Sequence, residues 1–346
     1  MHQSIQRRNQ EGFSMLELTV AMGLMLVVLG AVFSLVRDSM KIATTTYELT
    51  DAQENLRTAQ EIINRDLMYA GDGLKSISTI RAPQAFATSY ITLNPVVTAP
   101  GIVNLGILTS DNNVPAGTAV PLANPAATVR TSTDRQTIME IDPSFTAVSP
   151  AAIDGIGSII TLPVGYPMGN FTQGEIYFLT STVGGTFGAI TNVNAATRQL
   201  SFANGDASGL NLTGAAGTGH ISTISTAGTL ATSLQRMRMI HYYVTTGGLL
   251  MRRVFGVPGR GFRESIIAEH VVNVQFNYSL VTVDASGNVT PSTAATLTTS
   301  ADQLAVRHVE VKVTVETPHV LQDGLKSQIS TTTSTSVRNM QFRQAQ

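Results

Sequence analysis

The chain has no cysteine and no tryptophan, and only 13% of its 346 residues are charged. The lack of cysteine excludes a disulfide framework, a zinc–thiolate site and a cysteine nucleophile. The formal net charge of −1 argues against a nucleic-acid-binding protein, which needs a basic face. Because an ordinary soluble domain carries about 25% charged residues, the surface is expected to be poor in ionic groups.

Apolar residues, threonine and glycine take the place of the missing charges. Apolar residues make up 43% of the chain, and there are 29 glycines. Threonine and valine favour pleated, half-buried surfaces, so this composition predicts a β-rich body with many turns. The length allows one large domain or two ordinary ones.

One apolar run near the N-terminus is long enough to cross a membrane. No charged residue occurs from Leu18 to Val36, and a helix of that length spans roughly 28 Å, close to a hydrocarbon core. Arg7 and Arg8 precede the run and favour a cytoplasmic N-terminus. The run is longer than the apolar region of a cleaved secretory signal, which has about 7–15 residues. A plain signal anchor fits the length.

Neither interpretation explains Glu17, an acid at the edge of the apolar helix. A carboxylate at the bilayer centre costs on the order of 2.5–3.5 kcal/mol, whereas one at the interface costs little. The surrounding residues, Gly-Phe-Ser-Met-Leu-Glu at positions 12–17 followed by the apolar run, resemble the type IV prepilin N-terminal motif. The glycine, the aromatic residue, the acid at its fixed offset and the basic leader all agree with that family.

The resemblance implies how the N-terminus is processed. A membrane peptidase of that family cuts after the glycine and methylates the new N-terminus, here between Gly12 and Phe13. Residues 1–12 would be the leader, and Phe13 would become the N-methylated first residue. In the filament, Glu17 would pair with the Phe13 amine of an adjacent subunit, because a carboxylate buried in an apolar bundle needs a partner. Many family members have a proline in this helix; here only Gly23 and Gly30 weaken it.

The helix is expected to continue past the membrane. Leu49, Leu56 and Ile63 recur every seven residues, in an amphipathic pattern, and Gly71 and Gly73 are stop signals. The alternative is two helices broken at residues 44–46. The predicted divisions are a leader at 1–12, a transmembrane and filament-core helix at 13–36, an amphipathic continuation at 37–70 and an exported β-rich head at 71–346.

The head is predicted to be an antiparallel sheet packed on the helix, an α+β fold. Residues 81–135 are interpreted as loops with short edge strands at 90–93 and 102–108, outside the central sheet. Residues 203–232 are interpreted as a loop. Further strands are expected at 137–141, 158–162, 175–180, 187–193, 199–202, 237–244, 249–255, 271–283, 306–316 and 328–337.

Several segments are similar to the minor pilin family called PilW. They are the helix end from Asn55 to Gly71, the hairpin that ends Leu-Met-Arg-Arg at 250–253, residues 271–278 and the late Val-Arg-Asn at 337–339. Their order and spacing carry this resemblance. The J-type minor pseudopilin of type II secretion is a close relative of that family and stays an alternative.

Catalytic and metal-binding patterns are not evident in the sequence. The six histidines are scattered and interpreted as surface or sheet residues, and no catalytic residue, metal site or cofactor is predicted. Asp284 to Asn288 lacks the carboxylates of a calcium loop and predicts a hairpin turn. Six arginines form a modest basic cluster: Arg236, Arg238, Arg252, Arg253, Arg260 and Arg263. A sheet edge facing acidic neighbours is favoured over a DNA-contacting patch.

Together these features predict a structural protein rather than an enzyme. The hypothesis is a minor type IV pilin that is inserted in the inner membrane with a cytoplasmic N-terminus and a periplasmic head, and that joins a pilus, at its tip. The partners so implied are the prepilin peptidase and N-methyltransferase, other minor and major pilins, the inner-membrane assembly platform and membrane lipid, but not nucleic acid. Alternatives are a type II secretion pseudopilin and a membrane-anchored adhesin or binding module.

Overall fold

The computed structural model describes residues 14–74, 80–122, 126–215, 218–225, 233–284, 286–297, 300–320 and 325–341. These residues fall into two compact units. The first contains Met1–Asp51 with Pro318–Ser327, and the second contains Ala52–Thr317 with Gln328–Gln346. The boundary after Asp51 lies within the first helix.

Helix α1 runs without interruption over Met15–Tyr69, which confirms the prediction of one continuous helix. The alternative break at the three threonines is wrong. The hydroxyls of Thr44 and Thr46 donate hydrogen bonds to the carbonyl oxygens of Met40 and Ile42, at 3.0 and 2.8 Å. Bonding to the carbonyl four residues earlier satisfies a threonine hydroxyl inside a helix, so the threonines continue α1 instead of ending it.

The helix ends at the glycines that the sequence indicated. Gly71 and Gly73 have φ values of +77° and +70°, a left-handed conformation that glycine adopts at little cost and that commonly ends helices. The Gly71 N–H donates to the Met139 carbonyl at 2.9 Å, which fixes the helix end against a strand of the head.

Among the described residues, three short α-helical segments, one 3-10 turn (Met168–Asn170) and twenty strands follow α1. The helical segments are α2 (Gln84–Phe86), which continues as one wide turn over Ala87–Ile91, α3 (Ser300–Ala305) and α4 (Arg338–Gln341). The strands are β1 (Ile80–Pro83), β2 (Val96–Ala99), β3 (Ile102–Leu105), β4 (Leu108–Asp111), β5 (Ala119–Val120), β6 (Ala127–Thr128), β7 (Arg135–Ile141), β8 (Ala152–Ile153), β9 (Ile159–Thr161), β10 (Ile176–Ser181), β11 (Gly184–Ala189), β12 (Asn192–Asn194), β13 (Gln199–Ser201), β14 (Ser233–Val244), β15 (Leu250–Val257), β16 (Gly261–Ala268), β17 (Val271–Val283), β18 (Val289–Ala294), β19 (Val306–Glu316) and β20 (Gln328–Ser336).

The largest sheet contains ten strands and is almost wholly antiparallel. Its main path is β16-β15-β14-β10-β11-β1-β3-β2, and β7 pairs with both β14 and β4. The exception is β1, which runs parallel to β11 with Ile80 opposite Gly185. The smaller sheet β12-β13-β9-β8 and the pair β5-β6 complete this part of the head.

Two predictions for residues 81–135 are wrong. These residues were expected to lie outside the central sheet, yet β1, β2 and β3 extend the ten-stranded sheet beyond β11. The strand expected at 90–93 is helical as far as Ile91. There Phe86 and Tyr90, one helical turn apart, both pack on Phe255, at ring-centroid distances of 5.7 and 5.5 Å.

Two further predicted strands are each divided into two. The strand expected at 102–108 stops after Leu105 and resumes at Leu108, with Gly106 between. The strand expected at 187–193 divides into β11 and β12, which belong to different sheets. The other predicted strands agree with the structure to within a few residues at each end.

The C-terminal sheet has the antiparallel order β18-β17-β19-β20. Strands β17 and β19 span Val271–Val283 and Val306–Glu316, the bounds that alternation predicted. Alternate residues of β19, among them Val309, Val311 and Val313, are fully buried. Period-two burial of this kind marks a strand with one face on a core.

The second half of α1 packs on this sheet. Of the seven-residue repeat, Leu56 and Ile63 are almost completely buried and Leu49 is half-buried, and Leu67 is buried beside them. The Gln60 side chain donates to the Thr331 carbonyl of β20 at 2.9 Å, and the Thr333 hydroxyl of β20 donates to Asn64 at 3.2 Å. A long N-terminal helix and antiparallel sheets confirm the α+β, pilin-like fold.

Candidate functional site in the N-terminal helix

The first turn of α1 contains a reciprocal cap formed by Ser14 and Glu17. The Leu16 N–H donates to Ser14 Oγ at 3.2 Å, and the Ser14 N–H donates to Glu17 Oε2 at 3.1 Å. This is a capping box, in which two side chains satisfy backbone donors that a helix start leaves unpaired. Glu17 therefore points back toward the N-terminal end of the helix, where it accepts from the N–H of Ser14, the residue that follows Phe13. Gly12 and Phe13 themselves lie outside the described residues.

The apolar run after Glu17 has no partner in the first unit. Leu18, Leu26 and Leu35 are exposed by 55, 70 and 70%. By length and composition α1 could cross a membrane, and no residue of its most apolar window, with a mean hydropathy of 2.5, is buried. A contiguous exposed apolar surface of this kind marks a contact with membrane or protein.

Gly23 and Gly30 lie inside this apolar run without interrupting it. The helix is continuous through both, and a Cβ built at either position would meet nothing within 4 Å. Helix interiors are weakened by glycine by about 1 kcal/mol relative to alanine. The two glycines therefore lower the helix propensity of this segment and leave two positions without a side chain on its exposed surface.

The second half of α1 contains a buried acid that the sequence analysis missed. Asp66 is 5% exposed; its Oδ2 accepts from Arg252 Nε at 2.6 Å and from the Tyr242 hydroxyl. Burial, followed by the Asp66 carboxylate, raises the pKa of Tyr242. The only sequence signal was an aspartate between two buried positions, Ile63 and Leu67.

Most of the predicted arginine cluster is paired within the head. Arg236 binds Asp142 at 2.9 Å and Glu175 at 3.1 Å, Arg238 lies 3.3 Å from Asp142, Arg252 binds Asp66 and Arg253 binds Glu264 at 2.7 Å. The preferred interpretation, a sheet edge facing acidic neighbours, is confirmed for the acidic neighbours but is wrong for the edge, because β14 and β15 lie inside the ten-stranded sheet and Arg253 is buried. These four arginines give little unpaired positive charge for nucleic acid.

Two of the six histidines are buried side chains of the head: His241 lies in β14, but His220 is buried in a turn, so the prediction of a surface or sheet residue is wrong for His220. His220 and His241 are 0 and 4% exposed. Burial lowers the pKa of both, and for His241 the nearby Arg135 and Arg253 lower it further. Both are thus neutral at physiological pH. Within the part of the chain that the structure describes, no group of three acidic or histidine side chains could hold a metal ion.

The segment from Asp284 to Asn288 is a turn, as predicted. It connects β17 to β18, whose ends pair at Val283 and Val289. Asp284 accepts hydrogen bonds from the Ser286 and Asn288 N–H groups at 2.9 and 2.8 Å. The Asp284 carboxylate is therefore already hydrogen-bonded within its own turn.

In a comparison with known protein families, residues 7–33 match the prokaryotic N-terminal methylation motif. The N-terminal segment of the chain is therefore similar to that of type IV prepilins. The matched residues include Arg7, Arg8, Gly12, Phe13 and Glu17 and extend through most of the exposed apolar run, and this motif belongs to structural subunits rather than enzymes. No curated protein and no solved structure matches the chain.

The motif and the exposed helix together indicate a pilin-like or pseudopilin-like precursor that is anchored in a membrane by α1. Processing by a prepilin peptidase and assembly with other pilins follow from the motif in general. The motif covers only the N-terminal segment, so the head enters the functional argument through its own structure.

Proposed function

We propose that the protein is a minor type IV pilin. Residues 1–12 are the leader, which the prepilin peptidase removes by cutting between Gly12 and Phe13 and by methylating the Phe13 amine. Residues 13–36 cross the inner membrane, residues 37–70 continue the helix, and residues 71–346 are the exported head. The observation that carries this proposal is the coincidence of the methylation motif, over residues 7–33, with an apolar helix surface whose described residues are exposed.

The exposed surface of α1 serves twice in this proposal. In the membrane, lipid covers Leu26, Leu35 and their neighbours. In the filament, the same residues pack against other pilins, because lipid and a bundle of apolar helices are comparable surroundings for these side chains. Cutting at Gly12 keeps the whole apolar run on the mature chain, which is what this double use requires.

Glu17 has an assembly role in the proposal. Once the chain is cut, the nearest charged partner for a carboxylate at this depth is an N-terminal amine, and we assign that role to Phe13 of an adjacent subunit. The capping geometry supports this assignment, since Glu17 already points to the N-terminal end of the helix. A carboxylate in an apolar bundle is costly unless it is paired.

The basic leader supports the proposed orientation of the protein in the membrane, and the large head supports its proposed position in the pilus. Arg7 and Arg8 keep the N-terminus in the cytoplasm, so the head faces the periplasm until the pilus is assembled. The bulky ten-stranded sheet suits a tip subunit, because shaft subunits have to pack identically around the filament axis. The partners are then the prepilin peptidase, the inner-membrane assembly platform and the other pilins.

Two substitutions of Glu17 separate its charge from its capping role. Glu17→Gln keeps a side chain that can complete the capping box, whereas Glu17→Ala removes both charge and cap. We expect both variants to be cut normally and neither to enter filaments. Immunoblots of sheared pili and of the membrane fraction measure incorporation, with Glu269→Gln, at an exposed acid of the head, as the matched control.

The outcomes distinguish the roles clearly. Normal incorporation of Glu17→Gln, together with failure of Glu17→Ala, would leave Glu17 as a helix cap and overturn the proposed pairing with Phe13. Recovery of the chain in a type II secretion pseudopilus but not in pili would replace the pilin assignment by the pseudopilin alternative.

A further inference from the structure

The head contains a polar cleft at the junction of its two main sheets. The cleft has a volume of about 560 Å³, within the range of roughly 300–1,000 Å³ that small-ligand sites have. One wall comes from residues 92–96, the end of β3 and the segment after β4, and the other comes from Thr296, Leu297 and Gln303. All of its lining residues belong to the second unit, and the proposed function uses none of them.

The lining is dominated by uncharged hydrogen-bonding side chains. Five carboxamides contribute to it: Asn94, Asn104, Asn112, Asn113 and Gln303. Apart from Asn113, which accepts a long 3.4 Å contact from Gln275, their amide groups make no hydrogen bond to any described residue. Each amide offers two donors and one acceptor oxygen, so the cleft presents matched donors and acceptors to a ligand.

The cleft offers no free charge. Asp111 is the one charged side chain among the described residues that line it. Its oxygens accept hydrogen bonds from Arg135 Nε at 3.0 Å, from the Thr92 hydroxyl at 2.7 Å and from the Leu93 N–H at 3.0 Å. A charged ligand would therefore lose its hydration without gaining a counter-charge.

Gly106 makes room for one of the amides. A Cβ built on Gly106 would lie 1.2 Å from Oε1 of Gln303, so the Gln303 amide occupies the space that a side chain would need. The backbone of Gly106 is not in the left-handed region, and the space, rather than the conformation, explains the glycine.

We propose that this cleft binds a neutral oligosaccharide. A sugar hydroxyl is both donor and acceptor, as is a carboxamide, and the pairing needs no charge. Apolar patches at Val96, Pro95 and Leu297 can cover the C–H face of a sugar ring. A peptide fits less well, because its donors and acceptors lie in a line that a strand edge, rather than a set of side-chain amides, satisfies.

The test uses the full chain in a detergent without sugar headgroups, on an array of oligosaccharides. The array contains neutral hexose and N-acetylhexosamine chains beside sialylated and sulfated ones, with an uncharged serine- and asparagine-rich peptide as comparator. We expect binding to neutral oligosaccharides. Gly106→Ala and Asn104→Leu should each weaken it at least about tenfold, the effect of about 1.4 kcal/mol.

Asn277→Leu is the matched control, because Asn277 is an exposed amide on β17, outside the cleft. It should bind within about twofold of the unchanged chain, a difference of well under 1 kcal/mol. Gly106→Ala removes no polar group and displaces only the end of a flexible side chain, so a thermal melt should show a folded head.

Three results would overturn the inference: no neutral oligosaccharide above background, equal binding of sialylated or sulfated chains, or binding that the cleft variants leave unchanged. Binding of the peptide without any oligosaccharide would assign the cleft to a peptide instead. None of these outcomes depends on whether Gly12 is cut or whether the chain enters a pilus.

Discussion

The two halves of α1 differ in what covers their apolar side chains. In the second half the apolar stripe is buried against the head, with Ile63 and Leu67 fully covered. In the first half the corresponding side chains are exposed; Leu26 is exposed by 70%. A helix that is apolar on every face has to be covered by something, so the first half depends on lipid or other subunits. The apolar residues in the second half of α1 are thus covered by the head, whereas those in the first half are left to be covered by lipid or by other subunits.

The largest expected effect comes from the buried acid of the second half. Asp66→Ala leaves Arg252 in a largely buried position without its carboxylate, and breaking such a pair costs about 3–5 kcal/mol. Asp51→Ala, at an exposed position of the same helix, should change the free energy of unfolding by no more than about 0.5 kcal/mol. Denaturant titration of both variants, followed by tyrosine fluorescence of the head, measures the difference.

Equal effects of the two substitutions would contradict the assignment of Asp66 as an internal anchor of the helix. Asp66→Asn adds a finer test. It keeps an acceptor for the Tyr242 hydroxyl and removes only the charge, so its destabilisation should fall between those of the other two variants.

The next effect compares apolar residues of the two halves. Ile63→Ala removes a fully buried side chain and should lower the free energy of unfolding by about 2–5 kcal/mol. Leu26→Ala should leave head unfolding unchanged, because the Leu26 side chain contacts no core. The same titration measures both, and a loss for Leu26→Ala similar to that for Ile63→Ala would show that the first half also packs within the chain.

A smaller, pH-dependent effect comes from Glu140, whose environment includes the Asp66–Arg252 pair. Burial raises the pKa of Glu140 to about 7, against the opposing effect of Arg238. Because the folded pKa lies above the ordinary value of about 4.3, the folded head binds more protons between these values and loses stability as the pH rises through them. Above pH 7 the folded head bears the full free-energy cost of an ionised Glu140 in this buried position.

Glu140→Gln removes that cost. Relative to the unchanged chain, the variant should gain about 1–3 kcal/mol at pH 8 compared with pH 4, since one pKa unit corresponds to about 1.4 kcal/mol. Unfolding curves at the two pH values measure this. A pH-independent difference between the two proteins would show that Glu140 ionises normally in the folded head.

The sequence predicted the parts of the molecule whose signal is local. Strands β17 and β19 were located to the residue because each alternates apolar side chains along its whole length, and the stop at Gly71 needed only the glycine itself. The residues of the methylation motif are contiguous, so that Gly12, Phe13 and Glu17 could be named together from the sequence.

The parts that were missed depend on partners far away in the chain. Strands β1 and β2 have four residues each, too few for a periodic pattern, and β1 owes its place to β11, about a hundred residues later. The pairing of Asp66 with Arg252 spans 186 residues. Likewise, the contact between Gly106 and Gln303 exists only after both sheets have formed.

The most direct test of the account is the intact mass of the chain purified from cells with an active prepilin peptidase. The account predicts a mature protein that begins at Phe13 and carries one methyl group on its amine, and an uncut precursor for a Gly12 variant. A mature chain that begins at Met1, or a cut at a position that removes part of the apolar run, would contradict it.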